Sequence, residues 1–413
     1  MRSRFASLSR QELATLVPEL LLIGQLIDRS GMAWCISAFG RDAMAQIAIE
    51  EWAGSSPIYT RRMQQTLGYE GDDVHTIIKG LQLDIGAPPQ FMDFRFTIRD
   101  RHHAEFQLDH CGALMDVEPM GEDYVRAMCH DIEDPTFDAT AVASNPRAQV
   151  RPLHRPPRMP ADRAPHCAWT IVIDDAHPPV EELPAFHHVV AKRAASIELD
   201  PIDPADEGAS DYSGPVLSDI DFTAYSHSAL VRIADEVCLQ MHLLNLSFVH
   251  AVRQRAADEA QTLEIARKQL VGIAGIAAER IHRALGLPAD ETGALRVLEL
   301  HPLLNPAAYV GADVVQGAGE LRVGPSPAHE DGDAWIALVD PEHPEPLQAA
   351  VRAVDPHLDV ELTGDATSWT ARVVRRDEPA AEASEVSVTR FSTGSSFSFE
   401  PRRSLPITPV RPR

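Results

Sequence analysis

Lysine is nearly missing from this chain: Lys79, Lys192 and Lys268 are the only three in 413 residues, and the formal net charge is −24. Phosphate groups are held by clustered basic side chains, so nucleic-acid and anionic-membrane partners are excluded. Cysteine is scarce as well, five widely spread residues. An odd, dispersed set is no secreted disulfide framework, which points to reduced thiols in a cytoplasm. Long hydrophobic runs are absent: the longest uncharged stretch, Val237 to Val252, carries His242 and His250 and is too short to cross a bilayer. The apolar run Leu20 to Ile27 is framed by Glu12, Glu19 and Asp28 and lacks a small-residue cleavage site, so no targeting segment is expected. Neither a glycine-rich phosphate loop nor a nucleotide fingerprint is found. What remains is ordinary globular composition, 44 % hydrophobic and 24 % charged, with length for two or three domains.

The chain resembles itself. Arg41 to Gly68 aligns without gaps on Glu259 to Gly286 at an offset of 218, with identities at Ile47/Ile265, Ala48/Ala266, Gly54/Gly272, Ile58/Ile276, Arg62/Arg280, Leu67/Leu285 and Gly68/Gly286. These are mostly small or apolar positions, as the packed face of a glycine-capped helix requires. Downstream the order of pieces repeats with gaps. The strand ending at Cys111 parallels one ending at Ser326, Val125 to Cys129 parallels Val351 to Asp355, and Cys167-Ala168-Trp169-Thr170 parallels Thr367-Ser368-Trp369-Thr370. Three cysteines thus become Ser, Asp and Thr. A buried structural cysteine would drift to Ala or Val, so the first copy is expected to keep a site that the second has lost.

The capping box Ser9-Arg10-Gln11-Glu12 opens a helix that runs through Pro18, and helical spacing continues to Phe39 and over Asp42 to Leu67. Phe91 to Ile98 and Ala104 to Cys111 alternate as a β-hairpin, Gly121 to Glu133 reads as a helix, and strands follow at Ala148 to His154 and Cys167 to Ile173. In the second half two helices, Ala229 to Arg255 and Asp258 to Leu285, precede strands at Leu295 to Leu300, before Val323, at Trp335 to Val339, Asp359 to Leu362 and Trp369 to Val374, with a helix at Leu347 to Val354. The expected class is α+β: two tandem related modules, each a helical layer on a small, mostly antiparallel sheet, forming an intramolecular pseudo-dimer. The modules are residues 1–175 and 229–376, joined by an acidic, Pro-rich linker at 176–228 with room for one helix over Val180 to Leu199. A polar tail, 377–413, has a possible hairpin of Val386 to Phe391 against Ser396 to Phe399.

Each cysteine of interest has a histidine neighbour: His110-Cys111, Cys129-His130 and His166-Cys167. Thiolate and imidazole are preferred zinc donors, so Cys111, Cys129, Cys167 and His130 form a candidate set for a divalent metal such as zinc. Adjacent strand residues face opposite ways, so either the cysteines or the histidines converge unless the strand bulges. Cys129 has Arg126 one turn away, which would favour a nucleophilic thiolate, and Asp131 and Glu133 are placed to act as general base. Arg151 and Arg155, with His154 between them, are candidates for binding a substrate carboxylate, as is Arg158; pairing with nearby acidic residues is the alternative.

Taken in order, Phe106-Gln107-Leu108-Asp109-His110-Cys111-Gly112, Met128-Cys129-His130-Asp131 and Cys167-Ala168-Trp169-Thr170-Ile171 resemble the L-2-amino-thiazoline-4-carboxylic acid hydrolase-like family over Ser9 to Ile173. The resemblance implies hydrolytic opening of a C–N bond in a cyclic amidine-type substrate, with cysteine as nucleophile or metal ligand. The closing strand departs from that family at Ala168 and Thr170, where its pattern has Asp and Arg. The other reading is a non-catalytic module that binds a small ligand or a metal, with a structural second half.

Overall fold

The computed structural model describes residues 2–315 and 319–392. Helices α1 (Arg10–Phe39), α2 (Arg41–Leu67) and α3 (Val74–Gln82) are followed by strands β1 (Met92–Ile98) and β2 (His103–Cys111). Then come α4 (Gly112–Val117), α5 (Glu122–Arg126), a π-helical turn (Ala127–Ile132), α6 (Glu133–Val142), β3 (Ala148–His154) and β4 (Cys167–Ile173). Short helices α7 (Pro184–Val189) and α8 (Arg193–Ser196) lead to α9 (His227–Arg253), α10 (Glu259–Leu285), α11 (Glu291–Leu300) and α12 (Ala307–Val310). Strands β5 (Ala312–Val315) and β6 (Glu320–Val323), helices α13 (Pro327–Asp331) and α14 (Glu345–Arg352), strands β7 (Leu358–Gly364) and β8 (Trp369–Arg375), and α15 (Ser384–Ser392) complete the order. The class is α+β, with two four-stranded antiparallel sheets of order β1-β2-β4-β3 and β5-β6-β8-β7.

Local chemistry sets the long helices. Ser9 caps α1 reciprocally with Glu12, and Gly68 and Gly286 close α2 and α10 in the left-handed conformation, at φ 63° and 58°, that glycine adopts without a Cβ clash. Helices α1 and α9 are apolar almost all round and are buried accordingly. Helix α1 packs along α10 and α2 along α9, while α1 and α9 touch each other at the centre.

Contacts between the halves recur at matching positions. Arg62 on α2 pairs with Glu236 on α9 at 2.9 Å, and Arg280 on α10 pairs with Glu19 on α1 at 2.7 Å. Ser247 Oγ donates to the Glu50 carbonyl at 2.7 Å and Ser30 Oγ to the Gln269 carbonyl at 3.1 Å. Gly54 faces Ser247 and Ala185 of α7, where a Cβ would come within 2.2 Å of Ser247 Oγ; Gly272 faces Thr389 of α15 and Ser30, with Thr389 Oγ1 at 2.2 Å. Helix α7 packs on α2 and α9, and α15 on α10 and α1.

Several expected elements differ. Leu295 to Leu300 belongs to helix α11 and is no strand, because Asp290 caps it through Gly293 N–H at 2.9 Å and its apolar residues fall on one helical face. Trp335–Leu338 is a 3-10 turn; a four-residue apolar run carries no period by which to choose. Val386 to Phe391 lies in α15, which buries Val386 against Gly275, and the expected partner strand Ser396 to Phe399 lies outside the described residues. The stretch expected as linker folds into α7 and α8, with Phe186, Val189 and Ala194 buried. Asp355, aligned with Cys129 in the sequence, lies in the turn before β7, where it accepts the His357 N–H at 2.9 Å, whereas Cys129 lies in the π-helical turn.

Candidate functional site

Strand β2 ends in an irregularity that decides where its last residues point. Phe94 pairs with Leu108 but Met92 pairs with Cys111, so Asp109 and His110 on β2 stand opposite the single Asp93 on β1, one extra residue on β2. The alternation is thereby reset, and Cys111 returns to the buried face shared by Phe106 and Leu108. Cys111 caps α4, its Sγ accepting the Leu114 N–H at 3.4 Å, and Gly112 follows because a Cβ there would meet the Phe91 ring at 2.4 Å. Cys167 sits across from Leu108 at the start of β4, and Cys129 faces inward from the π-helical turn. The cysteines and the histidines therefore both come together: the three thiols lie within electrostatic reach of one another, and His110 and His166 approach with ring centres 5.7 Å apart and the rings tilted by 48°.

The thiol cluster has no donor set for a metal. Among the described residues no group of three or more His, Cys, Asp or Glu side chains is arranged to hold an ion, and His130 Nε2 lies 2.7 Å from the Pro156 carbonyl. Burial, reinforced by Glu133, pushes the Cys111 thiol up to about 12 and those of Cys129 and Cys167 well above their ordinary range. Arg126, expected beside Cys129, is turned outward to Glu122 at 2.7 Å. Asp131 is exposed, away from the thiols it was expected to assist. Arg151, Arg155 and Arg158 are paired with Asp138 (2.8 Å), Asp134 (2.6 Å) and Glu118 (2.9 Å), and His154 is half-buried beside them on β3. The arginines are thus occupied by carboxylates of the chain itself.

Next to the thiols lies a feature that cysteine spacing does not reveal. A cavity of about 640 Å³ opens between α1, α2, the end of α3, α4 and the α5–α6 segment. That is the size of a small-molecule site. Six of the chain's ten methionines line it, Met32, Met44, Met92, Met115, Met120 and Met128, together with Trp52, Tyr124 and Phe137. Thioethers adapt to varied apolar shapes. Its mouth is marked by Met120, half-exposed at 48 %, beside Gly121, whose φ of 107° turns the chain into α5. The π-helical turn shifts the register of the segment so that Met128, Ile132 and Glu133 all reach the cavity while Cys129 points to the thiol cluster.

Ionisable side chains also line the cavity. Asp28 and Arg29 form a buried ion pair on α1, and Asp28 Oδ1 accepts the Trp52 indole N–H at 3.4 Å. Asp84 accepts Tyr59 O–H at 2.8 Å and Gly86 N–H at 2.7 Å. Asp116 and Glu133 are different: Asp116 Oδ2 and Glu133 Oε2 are buried and have no hydrogen-bond partner among the described residues, as is Arg29 Nε. Burial raises Asp116 to about 7 and Glu133 to about 8, against the opposing pull of Arg29 and Arg155 respectively. Glu51 on α2, in the field of Asp28 and Arg29, is fully buried, and neither of its carboxyl oxygens has a partner among the described residues.

The clue to these groups was Asp28-Arg29 directly after the apolar run Leu20 to Ile27, in a helix that is otherwise core. A charged pair in such a place demands a structural or functional reason. No protein-family model, curated protein or solved structure matches the chain.

Proposed function

We propose that the first half of the chain is a small-ligand-binding module whose site is the methionine-lined cavity, and that the second half is a degenerate copy completing an intramolecular pseudo-dimer. The observation that carries the reading is the cavity itself: small-molecule volume, apolar and adaptable walls, and buried carboxyl oxygens left without partners, which a folded protein rarely tolerates unless a ligand or water meets them.

Duplication is supported by identical strand order in the two sheets and by the matching Arg62–Glu236 and Arg280–Glu19 pairs. On this reading each copy extends past its sheet, to α7 in the first and α15 in the second. Glu19 and Glu236, like Ser30 and Ser247, stand 217 residues apart. The same offset pairs Asp28 with Asn245 and Arg29 with Leu246, so the second copy lacks the buried charges. Its corresponding space is filled: His242, whose Nε2 meets the Asn305 carbonyl at 2.8 Å, packs against Tyr309 and Trp335 with ring centres 5.0 Å away in each case. Loss of charge and loss of space together fit a half released from ligand binding.

The hydrolase reading has one observation in its favour. Hydrolysis of a C–N bond needs a group that takes a proton from water and returns one to the leaving nitrogen, and carboxyls poised near neutrality suit that exchange. Asp116 and Glu133 fill that description better than the buried thiols, and the resemblance to thiazoline-carboxylate hydrolases enters here as part of the proposal.

The test of the binding reading is titration with N-phenyl-1-naphthylamine, a neutral apolar fluorophore. Wild type is expected to give saturable one-to-one enhancement, and Ala48→Phe, which fills the cavity from α2, to abolish it. Absence of saturable binding, or equal binding by Ala48→Phe, refutes the proposal.

A further inference from the structure

The class of ligand follows from the charges around the cavity, granted that the cavity is a ligand site. We infer that it takes a lipophilic ammonium: an apolar body against the methionines and a protonated amine directed at the unpartnered carboxyl oxygens of the lining.

Four carboxyl side chains line the cavity, Asp28, Asp84, Asp116 and Glu133, against one guanidinium, Arg29. Two of the four are already occupied, Asp28 by Arg29 and Asp84 by Tyr59 and Gly86. Glu133 is only 8 % exposed, yet its Oε2 has no partner among the described residues, and Asp116 Oδ2 is in the same state. Those two oxygens are acceptors waiting for a donor, and a protonated amine brings up to three. An anionic ligand meets the opposite situation. Arg29 Nε is buried without a partner among the described residues, but the guanidinium is bonded to Asp28 and lies in the field of Asp28 and Asp116, which offsets its charge. A zwitterionic amino acid would likewise bring a carboxylate into an acidic chamber.

The walls favour a cation too. Trp52, Tyr124 and Phe137 line the cavity, and an ammonium near an aromatic face is stabilised by the ring quadrupole. The indole of Trp52 is held by its N–H bond to Asp28, so its orientation is set before a ligand arrives. Burial in an apolar chamber strengthens an ion pair that would be weak on the surface. The cost is desolvation of both charges: burial raises Asp116 to about 7 and Glu133 to about 8, and a cation entering beside them favours their ionised forms. Glu133 faces Arg155 and Asp134 from its own helix and from the sheet side, and the thiols of Cys111, Cys129 and Cys167; Asp116 faces Arg29 and Asp28. Binding of an ammonium then releases protons near neutrality, and its affinity rises from pH 6 to pH 8.

Three probes of one shape separate the possibilities: 1-aminoadamantane, adamantan-1-ol and adamantane-1-carboxylate, titrated calorimetrically into the full chain at pH 7.5. The ammonium is expected to bind at least tenfold more tightly than the alcohol, with the carboxylate undetected. The Asp116→Asn/Glu133→Gln double variant is expected to lose that preference while still binding the alcohol, which shows at once that its cavity is folded. Equal affinity for ammonium and alcohol in wild type, tight binding of the carboxylate, or an unchanged preference in the double variant overturns the inference but leaves the cavity as a binding site. Binding of none of the three overturns the cavity reading and the inference with it.

Discussion

Replacing Glu133 by glutamine should make the protein's stability less dependent on pH, in a direction and over a window that the structure specifies. The carboxyl is buried beneath the cavity at the start of α6, and its environment raises it to about 8 from an ordinary value of 4.5. In the unfolded chain it ionises near its ordinary value; in the folded chain it holds its proton for several more pH units. Between those limits the folded state binds more protons than the unfolded one, so the stability contributed by this group is full below the ordinary value and is lost as pH rises through the folded value. The slope is about 1.4 kcal/mol per pH unit, and over the whole window the loss is on the order of 5 kcal/mol. Glutamine has nearly the same shape and no charge to desolvate. Urea unfolding of wild type and Glu133→Gln at pH 5, 6, 7 and 8 should therefore show the variant gaining on wild type at each step, with the difference levelling above pH 8. A difference that is constant with pH, or one that shrinks as pH rises, would refute the placement of this carboxyl in a dry site.

Matching ion pairs between the halves should not cost the same to break. Arg62 donates to both oxygens of Glu236, a residue 2 % exposed, and also to the carbonyls of Ala195 and Ile197, so Arg62→Met should cost about 3 kcal/mol in urea unfolding, whereas Arg280→Met, whose pair with Glu19 is partly exposed, should cost about 1 kcal/mol; equal costs would contradict the burial difference. All five cysteines are buried, and those at 111, 129 and 167 are raised by burial, so a colorimetric thiol reagent at pH 8 should label less than one thiol per native chain and all five after denaturation. One fast-reacting cysteine would restore the nucleophile. Gly54→Val should lower stability by about 2 kcal/mol or more, because its Cβ alone would lie 2.2 Å from Ser247 Oγ and 2.8 Å from Ala185 Cβ; a change under about 0.5 kcal/mol would mean that α2 and α9 are not packed as described.

Much of the fold was legible because it is written in local signals. The capping box at Ser9, the glycine stops at Gly68 and Gly286, and the alternation along β1 and β2 each depend on neighbours in sequence, and each element forms where those neighbours direct. Local signals misled where the run was short. Trp335–Leu338 and Val386 in α15 owe their conformation to what they cover, the His242 ring in one case and Gly275 of α10 in the other. The linker-like composition of the segment holding α7 hid the three side chains, Ala185, Phe186 and Val189, with which it docks.

The site divides in the same way. The sequence by itself determined that three cysteines and their histidine neighbours occur in one half and not in the other, that Arg62 and Arg280 are equivalent in the alignment, and that Asp28 closes the apolar run Leu20 to Ile27. Only the tertiary structure decided what those residues do. An irregularity of β2 turned Cys111 into the core, and dense packing raised the thiols out of reach of chemistry at neutral pH. Six methionines from α1, α2, β1, α4, the adjoining turn and the π-helical turn, separated by up to 96 residues, were gathered around one chamber. A cavity is a property of what several distant segments fail to fill. No spacing along the chain records it, because its walls meet only when the helices pack.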